Sequence, residues 1–197
     1  MTEVSGWPVT LRGVTESVVT TEGPDGRWNL AALGLLADES GDDPGVTART
    51  YGRTRTRQNF EARGEGYVQF TRDPVDFTEA ALAVREECDP LLASADAWAR
   101  VEVAEVSATE EGGTSVVTWA LDPVDTGVER ETVPTTNRGF GAVVEVTVAA
   151  SRLDVDAYDQ EVLGERLRYF ADVVETCGGP REREALARAR DLVDAEF

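Results

Sequence analysis

Short β-branched or alternating segments fill the first two thirds of the chain, and longer helical stripes fill the last third. Trp7, Val9 and Leu11 alternate with polar or small residues, the period of an edge strand. Glu16–Thr21 is β-branched and predicts a strand. Gly23-Pro24-Asp25-Gly26 predicts a tight turn, and Trp28–Leu36 returns as a buried strand to complete a hairpin. Glu39–Gly45 reads as a polar loop and Val46–Tyr51 as a third strand. Gln58–Arg63 predicts a short helix, with Thr56 placed to cap its start and Gly64 to end it in the left-handed conformation. Tyr67–Thr71 is the next strand, and Asp73-Pro74 turns the chain. Phe77–Cys88 carries apolar residues at 77, 80, 81, 84 and 88, a helical stripe that Asp89-Pro90 stops. Trp98–Ala108 sets Val101, Val103 and Val106 against Glu102 and Glu105; Glu110–Gly113 is a hairpin turn, and Ser115–Leu121 returns. This succession argues for a β-barrel or a highly curved sheet.

The last third changes character. Asn137–Leu153 is open between two readings. Val143, Val144, Val146 and Val148 favour a strand, whereas Ala142, Ala149, Ala150 and the segment's length allow a helix. Asp156–Cys177 predicts a helix capped by Asp156, with Tyr158, Val162, Leu163, Leu167, Phe170, Val173 and Val174 on one face. Gly178-Gly179-Pro180 breaks it. Pro180 then opens a helix over Arg181–Glu196, with Leu186, Ala189, Leu192 and Val193 inward and its arginines and glutamates on a solvated face. The fold class expected is therefore α+β and mainly β, with a barrel or highly curved sheet over residues 1–130 and a helical part over 131–197.

Composition narrows the chemistry. The chain has 197 residues, of which 41% are hydrophobic, enough for a real core. Thirty-eight acids oppose 19 basic residues, giving a net charge of −19, and every basic residue is arginine. Acids dispersed over the whole chain suit a cytoplasm of molar salt, and the composition is that expected of a halophilic archaeon, with an ordinary acidic protein as the alternative. Without histidine there is no Ser-His-Asp or Cys-His catalysis and no histidine metal site; without lysine there is no Schiff base and no P-loop. Neither Gly64-Glu65-Gly66 nor Gly139-Phe140-Gly141 completes a dinucleotide fingerprint. Cys88 and Cys177 have no metal or redox spacing and are expected as reduced thiols. No apolar run is long enough to cross a bilayer and no secretion signal is evident, so a cytoplasmic protein is expected. An enzyme of this composition would rely on a bound cofactor.

One stretch runs against the acidic background. Arg49, Arg53, Arg55, Arg57 and Arg63 fall within fifteen residues, interleaved with Thr54 and Thr56 and followed by Gln58 and Asn59, and only Glu61 opposes them. Guanidinium, hydroxyl and amide donors together suit a phosphate. A helix starting here would aim its free N–H groups at whatever Thr54 and Thr56 hold. The alternative is a surface strand with Arg53, Arg55 and Arg57 on one solvated face and the threonines on the other.

The order of segments resembles a family of archaeal and planctomycete proteins of unassigned function built on the FMN-binding split barrel of flavin reductases. The matching pieces are Glu16–Thr21, Asp25–Gly34, Arg49 with Thr54–Phe60, Thr71-Arg72-Asp73, Asn137–Glu145 and Ala150–Leu153. The resemblance implies that Arg49, Thr54, Thr56 and Asn59 hold the phosphate and ribityl chain of FMN. It implies that Asn29, Leu30 and Ala31 lie along the isoalloxazine by their backbone, and that Asn137 and Arg138 approach from the helical part. It also makes Asn137–Leu153 a helix, in which Asn137 could equally be a plain cap. Ala32 departs from the family, where a proline is common beside the flavin. Trp28 and Trp98 are expected in the core or an interface. The resemblance further implies a homodimer, and the first functional expectation is a flavin-dependent oxidoreductase whose substrate and hydride donor the sequence does not specify, a nicotinamide being one candidate donor. A carrier of FMN or of another phosphorylated ligand, without catalysis, is the alternative. Nucleic-acid binding through Arg49–Arg63 is disfavoured, because only Tyr51 and Phe60 supply aromatics and counterion release gains little in molar salt.

Overall fold

A computed structural model describes residues 6–37, 45–133, 135–193, 195 and 197. The chain forms two compact units: Met1–Thr71 with Arg85–Glu131, and Arg72–Val84 with Thr132–Phe197.

In the first unit the β-branched hairpin forms as β1 (Val14–Glu22) and β2 (Trp28–Ala37), antiparallel, with Val14 opposite Leu36 and Glu22 opposite Trp28. Its turn is closed by Gly23 N–H donating to Arg27 O at 2.7 Å. The other elements of this unit are β3 (Val46–Tyr51), α1 (Arg55–Arg63), β4 (Glu65–Thr71), β5 (Arg85–Glu87), β6 (Ala95–Glu111) and β7 (Thr114–Val128). The strand order is β1-β4-β6-β7-β3-β2, and β1 also pairs with β2, so six antiparallel strands close into a barrel with β5 added beside β2. The polar loop expected at Glu39–Gly45 lies, apart from Gly45, outside the described residues.

β2 carries the split of this barrel. One of its sides follows β1 throughout. On the other side Trp28–Leu30 pair with β5, and Leu35–Ala37 pair with β3. Ala31–Gly34 have no strand partner there among the described residues.

The barrel is filled by inward side chains of every long strand, among them Val19, Leu35, Ala48, Val68, Val101, Val117 and Leu121. Phe60 of α1 enters beside Gly66, at the start of β4, and meets Trp119 edge-on at 5.4 Å. At the other end of β4, Trp7 lies edge-on to Phe70 at 6.3 Å. The alternation of Trp7, Val9 and Leu11 therefore reports packing against the core, not the expected edge strand. Pro8 has no N–H to offer a ladder.

α1 begins at Arg55, earlier than the sequence suggests, and Thr54 is its cap in place of Thr56: Thr54 Oγ1 accepts from Arg57 N–H at 3.2 Å. Gly64 ends the helix at φ 67°, as its left-handed role requires. β6 and β7 outrun their expected bounds because their hairpin pairs from Ala97–Val128 to the Glu111–Thr114 turn.

The second unit packs α2 (Pro74–Leu82), α3 (Arg138–Ala150), α4 (Gln160–Cys177) and α5 (Pro180–Val193). The helix expected over Phe77–Cys88 is corrected at both ends. Asp73 caps it and Pro74 opens it, while Ala83 is already extended. Val84 is 74% exposed and Cys88 is exposed, so the last two members of the apolar stripe bury nothing. Arg85–Glu87, read as helix, is β5.

Asn137–Leu153 resolves as helix α3 with Asn137 as its cap. A buried valine contributes about 1.5–3 kcal/mol, against a helix-propensity cost of a few tenths. Val143, Val146, Ala142 and Ala149 are buried against α4 and α5, so packing overrides the local preference. The start of α3 touches the end of α4 through Gly139, where a Cβ would lie 2.5 Å from the Gly178 Cα. α4 is capped by Asp159, not Asp156, and Tyr158 and Val162 are exposed, off the buried face of Leu163, Leu167, Ala171 and Val174. The Asp159 carboxylate wins because it accepts from both Glu161 and Val162 N–H, at 3.0 and 3.2 Å. Among the described residues, no helix is long and apolar enough to cross a membrane.

Candidate functional site

Two pairings bring the candidate residues of the first unit together. Thr21 and Asn29 face each other across β1 and β2. Thr56 and Asn59 stand three apart on α1, hence on one helix face. The two pairs interlock. Asn29 Nδ2 donates to Thr56 Oγ1 at 3.4 Å, and Asn59 Nδ2 donates to Thr21 O at 3.2 Å and Thr21 Oγ1 at 3.0 Å. All four residues are buried. Buried hydrogen bonds of this kind contribute about 1 kcal/mol each and cost more when one partner is lost. They pin the first turns of α1 to the end of the hairpin where β2 begins.

The first turn of α1 offers donors and no carboxylate. Arg55 and Thr56 N–H have no acceptor among the described residues. The Thr54 and Thr56 hydroxyl oxygens each accept one bond, which leaves each O–H free to donate. The helix has no acid in its own first turn. Leu30 and Ala31 follow Asn29 along β2. Leu30 is buried, and Ala31, half-buried against the barrel core, opens the segment of β2 that lacks a second strand partner.

The arginines do not form the free basic stripe that the sequence suggests, nor a surface strand. Acids meet four of them, three from distant strands and one, Glu61, from α1 itself. Arg55 pairs closely with Glu86, Arg57 with Glu61 at 2.8 Å, and Arg63 with Glu22 at 3.0 Å. Arg57 also donates to Ser115 Oγ at 2.8 Å, and Arg63 to Glu22 O at 3.0 Å and Gly23 O at 2.8 Å. Arg49 points outward from β3, 3.9 Å from Glu111, and no hydrogen bond or ion pair joins it to Asn29, Thr54, Thr56 or Asn59. Arg53, just before the cap, is exposed and has no carboxylate partner among the described residues.

Asn137 and Arg138 belong to the helical unit. Asn137 Oδ1 accepts from Gly139 N–H at 2.6 Å, so its side chain acts as the helix cap, and Arg138 is exposed at the first helical position. Trp28 and Trp98 flank Tyr67, at 5.4 and 5.9 Å between centroids, as partly buried packing residues.

Sequence reasoning missed Thr21 and Glu86. Thr21 carries no local signal, since its role comes from strand register. Glu86 fell inside a supposed helix, yet on β5 it stands opposite Asn29. An open depression of about 310 Å³ lies elsewhere, lined by Arg63, Gly64, Glu65, Glu102, Val103, Ala104 and Asp122. It faces the C-terminal end of α1 and carries three carboxylates, so both its dipole and its charge disfavour an anion. Among the described residues no cluster of acids and cysteines is placed to hold a metal.

Residues 15–130 match the N-terminal domain of the DUF447 proteins of unknown function, and residues 137–190 match a second DUF447 domain. A crystal structure described as an FMN-bound protein of this family from Methanosarcina mazei superposes with a TM-score of 0.76 at 21% identity, covering 92% of this chain and 96% of that one. Nitrilotriacetate monooxygenase component B from Bacillus cereus gives 0.48 at 16% identity over 64% of this chain and 74% of that one. A flavoredoxin from Methanosarcina acetivorans gives 0.46 at 13% identity over 64% and 75%. The first likeness shows a shared fold, a split β-barrel followed by helices. The chain belongs to the DUF447 family of proteins of unknown function.

Proposed function

We propose that this chain is an FMN-binding flavoprotein whose phosphate site is the start of α1. The observation that carries the reading is the acid-free, donor-bearing first turn of that helix, hydrogen-bonded through Thr56 to Asn29 beside the split in β2. A phosphate is an acceptor-only dianion, and two N–H groups and two hydroxyls of Thr54, Arg55 and Thr56 fit it. The family's FMN-bound member supports the choice of ligand. In this reading Thr54 and Thr56 hold the phosphate, and Asn59 fixes α1 without touching it. Arg53 supplies the charge the sequence reading assigned to Arg49, which remains a contributor only if it leaves Glu111. The backbone of Asn29, Leu30 and Ala31 borders the isoalloxazine.

When bound, the flavin supplies hydride or electron transfer. The chain's own part is to bind, orient and exclude water. Reduction by a nicotinamide donor, and a homodimer with the flavin at its interface, are further parts of the reading. One observation favours a non-catalytic carrier as second choice: the carboxylate nearest Asn29 in the strand register, Glu86, is engaged by two arginines. The paired state of four of the five arginines leaves little for a nucleic-acid backbone.

Titration of FMN and riboflavin, followed by flavin fluorescence, tests the reading. Tight FMN and weaker riboflavin are expected. Equal affinities would remove the phosphate site from the start of α1. Stopped-flow mixing of the loaded protein with nicotinamide donors separates reductase from carrier.

A further inference from the structure

Glu86 occupies an unusual place. It is the middle residue of the three-residue strand β5, and its Cα pairs with that of Asn29. Paired residues of antiparallel strands project on the same face, so Glu86 shares its face with the Asn29 side chain. Its two carboxylate oxygens meet different arginines. Oε1 makes the close ion pair with Arg55 Nη1, and Oε2 lies 3.5 Å from Arg27 Nε. Arg27 Nη2 also donates to the Glu86 backbone oxygen at 3.1 Å. Arg55 is the first residue of α1, a helix with no acid of its own in the first turn. Glu86 thus supplies, from another strand, the negative charge that the helix start attracts. The carboxylate is about one-third exposed, at 31%, so a ligand anion could reach its partners.

We propose that Glu86 is a built-in competitor for the ligand's phosphate: its carboxylate neutralises Arg55 and Arg27 in the free protein and must share or release them when a phosphate binds. This rests on the phosphate site proposed above, and it gives that site a regulator. A purely structural ion pair would strengthen β5 and leave phosphate affinity alone. A competitor lowers phosphate affinity and makes it depend on salt, because added salt screens the repulsion between Glu86 and the incoming dianion.

The test compares Glu86→Gln with the wild type. Glutamine keeps the side chain's shape and an acceptor oxygen while removing the charge. Removing one like charge at a water-screened contact distance should tighten FMN binding about fivefold at low ionic strength. The gain should shrink at about 1 M salt, where the screening length is about 3 Å. Riboflavin, which lacks the phosphate, should bind both proteins equally. Weaker or unchanged FMN binding by Glu86→Gln, with wild-type FMN binding intact, overturns the competitor role while leaving the flavin reading in place. A gain equal for FMN and riboflavin overturns it as well, since the effect would then be on the pocket and not on the phosphate. If neither protein binds either flavin, the flavin reading fails, and calorimetric titration with inorganic phosphate decides the competitor role by itself. Tighter phosphate binding by Glu86→Gln supports it; equal or undetectable binding by both proteins overturns it. Circular dichroism of the variant confirms that the fold as a whole is retained.

Discussion

The Asn29 amide nitrogen lies 3.4 Å from the Thr56 hydroxyl oxygen, and both side chains are buried. The contact joins the second strand position of β2 to the first turn of α1, across 27 residues of sequence. It leaves the Thr56 O–H to donate outward. Replacing Thr56 by valine keeps the volume and deletes that donor. FMN affinity should fall about tenfold or more, the loss associated with one hydrogen bond to a charged group. The melting temperature should fall by only a few degrees, from the unpaired Asn29 amide. Fluorescence titration and thermal melts check both parts. A large loss of stability with unchanged affinity would make Thr56 structural.

Thr54 separates capping from binding. Thr54→Asp retains the cap and suits the helix dipole, but places a carboxylate where the phosphate is proposed. Stability should hold within about 1 kcal/mol, while FMN binding should be lost at low salt. Retained binding would move the phosphate elsewhere.

Phe60 closes the barrel beside α1. It is 2% exposed and stacks edge-on against Trp119. Phe60→Ala should cost about 3–5 kcal/mol in chemical denaturation, the usual range for a buried aromatic truncation. Because α1 is anchored in the barrel by that ring, flavin affinity should fall in the same variant.

Asp73 has two tasks in the helical unit. Its Oδ1 accepts from Val75 and Asp76 N–H at 2.9 and 3.1 Å, and both oxygens receive Arg181, with Nη2–Oδ2 at 2.8 Å. The bond to Asp73, and then that to Glu184, raises the Arg181 pKa further above its ordinary range, so the pair keeps its cation at every working pH. Arg181 is largely exposed, so Arg181→Ala should cost at most about 1 kcal/mol. Asp73→Ala also removes the cap and should cost about 1 kcal/mol more. Equal losses in urea titration would mean that the cap contributes nothing.

The net charge of −19 gives a further expectation. Self-repulsion should lower stability in dilute buffer, and raising potassium chloride from about 0.1 M to about 1 M should raise the melting temperature. A melting temperature that falls with salt would show that the ion pairs outweigh the repulsion.

Much of the barrel was legible because β-branched runs and glycine turns act locally: the β1–β2 hairpin, β3, β4 and the Gly64 stop needed no distant partner. Three features of the candidate site were not legible, each for a physical reason. Thr54 and Thr56 are equivalent as capping residues in sequence, and the choice between them follows from the anchoring of Thr56 by Asn29. β5 hid behind an apolar period that ran by chance past the end of α2. The arginine stretch read as a free cationic patch because its partners are remote: Glu86 stands 31 positions from Arg55, and Glu22, whose backbone oxygen accepts from Arg63, stands 41 away. The valine-rich α3 was settled as a helix only by the family resemblance, since the burial that favours it is tertiary.

The most direct measurement is the visible absorbance spectrum of the purified protein, with any released chromophore identified by chromatography and the stripped protein titrated with FMN. A yellow protein that releases FMN and takes it up again with one site per chain is the expected result. A colourless protein that takes up no FMN at low or high salt would contradict the flavin reading.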